Sequence, residues 1–201
     1  MERAAQAVGE LSQIFDVLNA DVHRANNTVR ARGEGAAQRE LVRAVFAFVE
    51  GMTYRMKQLA HDTILDRALS VPDGTLLLLC DSQPTVTEQG EVELRPAKVR
   101  LKPSIRLAFA SVARAFDVDN DLRIDGAGWA ALGRAQRVRN RLMHPKRSHD
   151  LDVHADELVD ARLTYDWFKG ESATLLRKLQ ARASIWLAAL PSVEDEPQEA
   201  V

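Results

Sequence analysis

Two stretches of this chain carry apolar side chains at the three- and four-residue spacing of an amphipathic helix, and they leave little room for any architecture but a helical one. From about Ala36 to about Leu69 the stripe is Leu41, Val45, Phe48, Met52 and Leu59, with Arg43, Glu50, Tyr54 and Lys57 on the opposite face. Farther along, Leu158, Ala161, Tyr165, Phe168, Ser172, Leu175 and Leu179 alternate steps of three and four until Pro191 stops the helix. Shorter segments complete the set. Residues 2–22 form a first helix on Ala7, Leu11, Ile14, Phe15 and Leu18, and Asn26, Asn27, Gly33 and Gly35 mark the connection that follows. Ser70-Val71-Pro72-Asp73-Gly74 breaks the second helix. Leu76–Cys80 is apolar but too short to classify by its period. Thr85–Thr87 and Glu91–Leu94 flank Gln89-Gly90 as a small β-hairpin at about 84–95. Pro103 suits the first turn of a third helix, whose face is Ile105, Ala108, Phe109, Val112 and Phe116. A fourth runs from Gly126 to about Met143 with Asp125 as its N-cap. The expectation is an all-α bundle of about five helices with a small hairpin insertion, one domain over 1–190, and an acidic, disordered tail over 191–201.

Composition agrees with a packed domain. The chain has 201 residues, 46% of them hydrophobic and only 5% aromatic, and is rich in the helix formers Ala, Leu and Arg. Its single cysteine, Cys80, has no intramolecular partner, which points to a reducing, cytoplasmic compartment. No signal-peptide core opens the chain, and no apolar run approaches the ~18 residues of a membrane span.

A net charge of −2 hides an uneven distribution. Between Gly126 and His149 there is no Asp or Glu, yet six basic residues: Arg134, Arg137, Arg139, Arg141, Lys146 and Arg147. Residues 150–201 carry eleven acidic against five basic side chains. A local basic patch of this kind is a solvated helix face or a nucleic-acid contact, and the residues inside it decide between the two.

Two other patterns fail on inspection. Asp117-Val-Asp119-Asn-Asp121 opens like a calcium loop, but the sixth and twelfth positions are Leu122 and Gly128 where Gly and Glu are required. His144, His149 and His154 are each five apart, a spacing that stacks no ligand pair on one helix face. No metal or other cofactor is expected.

Within the basic patch stands Arg139-Asn140-Arg141-Leu142-Met143-His144-Pro145. An Arg followed by His after four to six residues occurs four times in this chain, so that spacing alone says little. Only the Arg139 copy has an amide after the Arg, a position at a helix end and Pro directly after the His. In that form it resembles the Arg-Asn-x-x-x-His motif of the HEPN family, and the resemblance covers residues 36–185. It implies a helical bundle with the motif near the end of a late helix, a homodimer, and metal-independent cleavage of RNA by Arg139, Asn140 and His144. Proteins of this kind act as toxins or phage-defence effectors under control of an antitoxin or other partner. One form of the family carries a modifiable Tyr two positions past the His; here that position is Lys146, so that mode of control is not implied.

The residues support the chemistry independently. Attack by the RNA 2′-hydroxyl needs a proton shuttle with a pKa near 7 and a cation for the charged phosphorane; His144 supplies the first and Arg139 the second. Asn140, four residues before His144, is placed to orient the imidazole. Arg134, Arg137, Arg141 and Lys146 would hold flanking phosphates. On a helical wheel Ala131, Ala135, Val138 and Leu142 form a core stripe, while Trp129, Leu132 and Met143 share a second, mixed face with the motif. That second face is expected to be a homodimer interface. The alternative is a non-catalytic dimeric module of the same kind that binds RNA or protein.

Overall fold

The computed structural model describes residues 1–72 and 74–189, and 74% of the described residues are helical. Six helices and one hairpin follow in the order α1 Glu2–Arg32, α2 Gly35–Asp66, α3 Thr75–Leu79, β1 Ser82–Val86, β2 Val92–Pro96, α4 Leu101–Phe116, α5 Ala127–Met143 and α6 Ala155–Ala188, with a 3₁₀ turn at Ser148–Leu151 between the last two. The expected all-α bundle with a small hairpin is what forms. Pro191 and the acidic tail lie outside the described residues.

Helix α1 runs ten residues beyond the expected end at residue 22. Asn26 and Asn27 have poor intrinsic helix propensity, at about 0.7 kcal/mol each relative to Ala. Val22, Ala25 and Val29 nevertheless continue the buried stripe begun by Ala4, Val8 and Leu11, and burying two valines in the core outweighs that deficit. The true stop is Gly33, in the left-handed region at φ 64°, whose N–H donates to the Val29 carbonyl at 2.9 Å. Gly35 then opens α2, and the two helices, each about 46–48 Å long, pack on one another.

Helix α2 is the centre of the bundle. It contacts α1, α4, α5 and α6, and its expected stripe Leu41, Val45, Phe48, Met52 and Leu59 is buried. So are Val42, Phe46, Val49, Met56 and Ala60, because a helix with neighbours on several sides needs more than one apolar face. Phe48 makes edge contacts with Phe15 of α1 and with Tyr165 and Phe168 of α6, at 5.4, 5.6 and 5.7 Å between ring centres. Lys57, expected on the polar face, is instead buried, with its ammonium on Asp81 at the base of the hairpin.

Leu76–Cys80, which periodicity leaves unassigned, forms the single helical turn α3. In the hairpin Pro84 pairs with Leu94 and Val86 with Val92, so all four share one face. That face is turned to solvent: Val86 and Val92 are 71% and 72% exposed. At the end of α4, Asp117 takes a left-handed conformation while the Val118 N–H reaches back to the Ala113 carbonyl and the Asp117 N–H to that of Arg114, a Schellman ending. The run of aspartates that looks like a calcium loop is thus a helix terminus, with Asp119 and Asp121 around the Lys178 ammonium and Asp117 on Arg182. No described helix is long and apolar enough to cross a membrane.

Candidate functional site

Helix α5 buries Gly128, Ala131, Leu132, Ala135, Val138 and Leu142. The expected core stripe is correct but too narrow. Leu132, expected at a dimer interface, has no exposed surface at all and belongs to the chain's own core. Trp129 is also satisfied within the chain. Its ring meets Trp167 edge-on at 5.3 Å, and the Lys102 ammonium sits 4.7 Å from its centre. Burial, and then the nearby Arg134 charge, lower the Lys102 pKa below the ordinary lysine value. Of the three expected interface residues, Met143 alone is exposed. The difference has a simple origin: α5 lies against both α6 and α2, so its apolar arc is wider than a single partner would require.

The N-cap of α5 is Gly126, in an extended conformation, and not Asp125. The other end behaves as expected. Pro145 disfavours helical geometry in the residue before it, and His144 leaves the helix with φ −132° and ψ 57° while its amide still donates to the Asn140 carbonyl at 3.1 Å. The imidazole is exposed and makes no hydrogen bond among the described residues.

Asn140 does not orient that ring. Its side-chain oxygen accepts a hydrogen bond from Arg139 at 3.2 Å. A second terminal nitrogen of the Arg139 guanidinium is paired with Glu50 of α2 at 2.7 Å. Two of the five N–H donors of Arg139 are therefore committed and three remain. The pair also fixes direction. Arg139 meets Glu50, and beyond the end of α5 the Leu151 carbonyl accepts from Arg39 at 3.3 Å; α5 therefore runs antiparallel to α2.

Acidic residues from α2 and α6 rearrange the basic patch. Arg134 makes a two-pronged contact with Asp160, at 2.8 and 2.6 Å, which raises its pKa further. Arg141 donates to both oxygens of Glu157 and to the Asp152 carbonyl, tying the end of α5 to the start of α6. Neither arginine is free to hold phosphate in the way the sequence suggests. Arg137, Lys146 and Arg147 are exposed and make no ion pair among the described residues.

Asp150 does not stand out in the sequence, yet it shapes the loop after His144. One of its oxygens accepts the Lys146 N–H at 2.8 Å and the Arg147 N–H at 3.0 Å. Those backbone donors, the Lys146 one first, hold its carboxyl below the ordinary aspartate range. Glu157 plays a similar part at α6, accepting the His154 N–H at 3.0 Å. Both carry a signal readable in the sequence, an acidic residue three positions after a helix-starting residue.

Compared with known proteins, the chain matches no family model, no curated protein and no solved structure. What this site can do follows from its own geometry. An exposed imidazole, held off a helix end, stands in a run with two cations that form no ion pair among the described residues, and an arginine with three spare donors lies one to two turns back.

Proposed function

We propose that this chain is a HEPN-type endoribonuclease that cleaves RNA through the 2′-hydroxyl without a metal, acting in the cytoplasm as a homodimer under control of a partner, as a toxin or phage-defence effector. The observation that carries the reading is the His144 imidazole, exposed and without a hydrogen-bond partner among the described residues, beside Lys146 and Arg147, which form no ion pair among those residues. An imidazole in that position can take the proton of the attacking hydroxyl and return one to the leaving 5′-oxygen. Arg139 supplies the cation for the phosphorane through the donors that Glu50 and Asn140 leave open. On a regular helix Arg139 and His144 diverge by about 140°, so one chain presents them to different directions. A two-fold axis near the exposed Met143 would bring both copies of each residue into one cleft. On this reading the interface lies at the end of α5 and does not include Trp129 or Leu132.

The test is cleavage of RNA in excess chelator by the native chain and by His144→Ala. We expect products ending in a 2′,3′-cyclic phosphate, resistance of a 2′-deoxy substrate, and loss of at least about 100-fold in rate with His144→Ala. Cleavage by His144→Ala as fast as by the parent would refute the reading. The pairing of Arg139 with Glu50 favours a second one, a non-catalytic dimeric module that binds RNA or protein, and that reading takes over if the native chain cuts no RNA.

A further inference from the structure

On the far side of α2 from Glu50, the partner of Arg139, lies a cleft of about 280 Å³ between α1, α2 and α6. Leu41 and Val45 reach it from α2, and they stand about 140–180° around that helix from Glu50. The cleft is therefore separate from the α5 site. Its wall is apolar, made by Val22, Leu41 and Val45, all nearly fully buried. Its rim is polar and organised. The Arg162 Nε–H donates to the Asn26 side-chain oxygen at 3.0 Å, which fixes the plane of the guanidinium and leaves its terminal amino groups available. Arg30 also lines the cleft, and neither arginine forms an ion pair among the described residues. Among the described residues, Asp166 is the one acidic group on the rim.

The remaining donors and acceptors are locked in a defined pattern. The Tyr165 hydroxyl has one proton, and it goes to the Asn19 side-chain oxygen. The contact with His23 Nε2, at 3.1 Å, must then be donated by the ring. This assigns the proton to Nε2 of His23. Burial, and secondarily Asp166, push the Tyr165 pKa up to about 12, so the phenol stays a neutral donor. With its oxygen taken by Arg162, Asn26 retains its amide N–H donors, and Asn27 beside it contributes a complete amide.

An apolar floor, amide edges beside it and two cations among the lining residues suit a heterocycle that carries an anionic group. The volume lies at the lower bound of small-molecule sites, about 300 Å³, which admits one nucleotide and not a chain. We propose that this cleft binds a nucleoside monophosphate, its base edge read by Asn26 and Asn27 and its phosphate held by Arg30 and Arg162. The proposal goes beyond the nuclease reading and does not depend on it.

Isothermal titration of the full chain with AMP, GMP, CMP and UMP tests it, with the four nucleosides and inorganic phosphate as separate arms. At least one monophosphate should bind with a dissociation constant of about 10–100 µM, as expected for a ligand of that size. The matching nucleoside and phosphate alone should each bind at least about 10-fold more weakly. Arg162→Gln and Asn26→Ala should each weaken binding by about 10-fold with the thermal midpoint unchanged within a few degrees, whereas Arg137→Ala should have no effect. Titrations of His144→Ala should reproduce those of the parent, so that nucleotide binding and RNA cleavage stand or fall separately. Absence of binding by all four monophosphates up to about 1 mM, affinity unchanged by Arg162→Gln, or phosphate binding as tightly as the nucleotide would each overturn the proposal.

Discussion

Two glycines on α5 should respond to the same substitution with opposite signs. A Cβ added at Gly128 would lie 2.6 Å from Trp167 Cγ, closer still to Trp167 Cβ, and 3.0 Å from the Leu163 carbonyl oxygen. Ordinary carbon–carbon contacts begin at about 3.5 Å, so α5 and α6 would have to part by roughly 1 Å or more at this point. Trp167 cannot swing aside, because the clash reaches the root of its side chain. Its indole N–H is also committed to the Arg123 carbonyl at 2.9 Å. Overpacking of this kind costs about 1–3 kcal/mol, while replacing glycine by alanine in a helix returns at most about 1 kcal/mol, and less in the first turn. Gly128→Ala should therefore destabilise the fold by a net 1–2 kcal/mol or so. At Gly133 the added Cβ would meet only the Lys102 ammonium end, at 3.4 Å, and a flexible lysine yields. Gly133→Ala should stabilise by about 0.5–1 kcal/mol. In urea the two midpoints should move apart at constant slope. In thermal scans the first should fall by roughly 2–8 °C and the second rise by about 1–4 °C for a chain of this size. If both variants shift the same way, the close approach of α5 to α6 at Gly128 is wrong.

Leu132→Ala should cost about 2–5 kcal/mol, and Leu132→Glu should fail to fold; recovery of a folded Leu132→Glu monomer by gel filtration and circular dichroism would return Leu132 to a surface. The raised pKa of Tyr165 makes alkaline pH destabilising. Above about pH 10 the unfolded phenol ionises while the folded one stays neutral, so stability falls through pH 10–12 by roughly 2–3 kcal/mol, and denaturation of Tyr165→Phe across that range should lack this component. For Asp150 the sign is reversed. Its depressed pKa gives the turn after His144 a stability present above the ordinary carboxylate range and lost as pH falls through the folded value. Asp150→Ala should accelerate amide exchange at Lys146 and Arg147 at neutral pH while shifting the global midpoint little; protection unchanged in the variant would mean that the carboxylate does not hold the turn.

The helices are legible because burial repeats every 3.6 residues, and that period is written into residues such as Leu41, Val45 and Phe48 or Phe168, Leu175 and Leu179. Their ends are less so. Asn26 and Asn27 resemble a connection because their local propensity is poor, and the burial of Val29 beyond them becomes visible only in the fold. Asp125 resembles a cap although Gly126 takes that place. At the site, the chain direction at His144 follows from Pro145 alone, and the structure agrees. What sequence neighbourhood cannot register is which distant acids fold onto a basic run. Arg134, Arg139 and Arg141 sit in a segment with no acidic residue, yet Asp160, Glu50 and Glu157 reach them from 16 to 89 positions away.

That difference bears on how a polyanion would bind. Six cations counted along the sequence would release enough counterions to give a log–log salt slope of about −4 on single-stranded RNA, at roughly 0.7 per phosphate contact. Three of the six are neutralised inside the chain, which leaves Arg137, Lys146 and Arg147 and a slope of about −2 per chain. A slope near −4 would mean that the internal pairs open as RNA binds, with phosphate displacing Glu50 from Arg139. The two carboxylates on α6 would resist such a displacement more than Glu50 does, since Asp160 and Glu157 each engage their arginine through two hydrogen bonds and Glu50 through one. Arg139 is therefore the cation of the three most readily transferred to an incoming phosphate, and it is the one that the proposed cleavage would use.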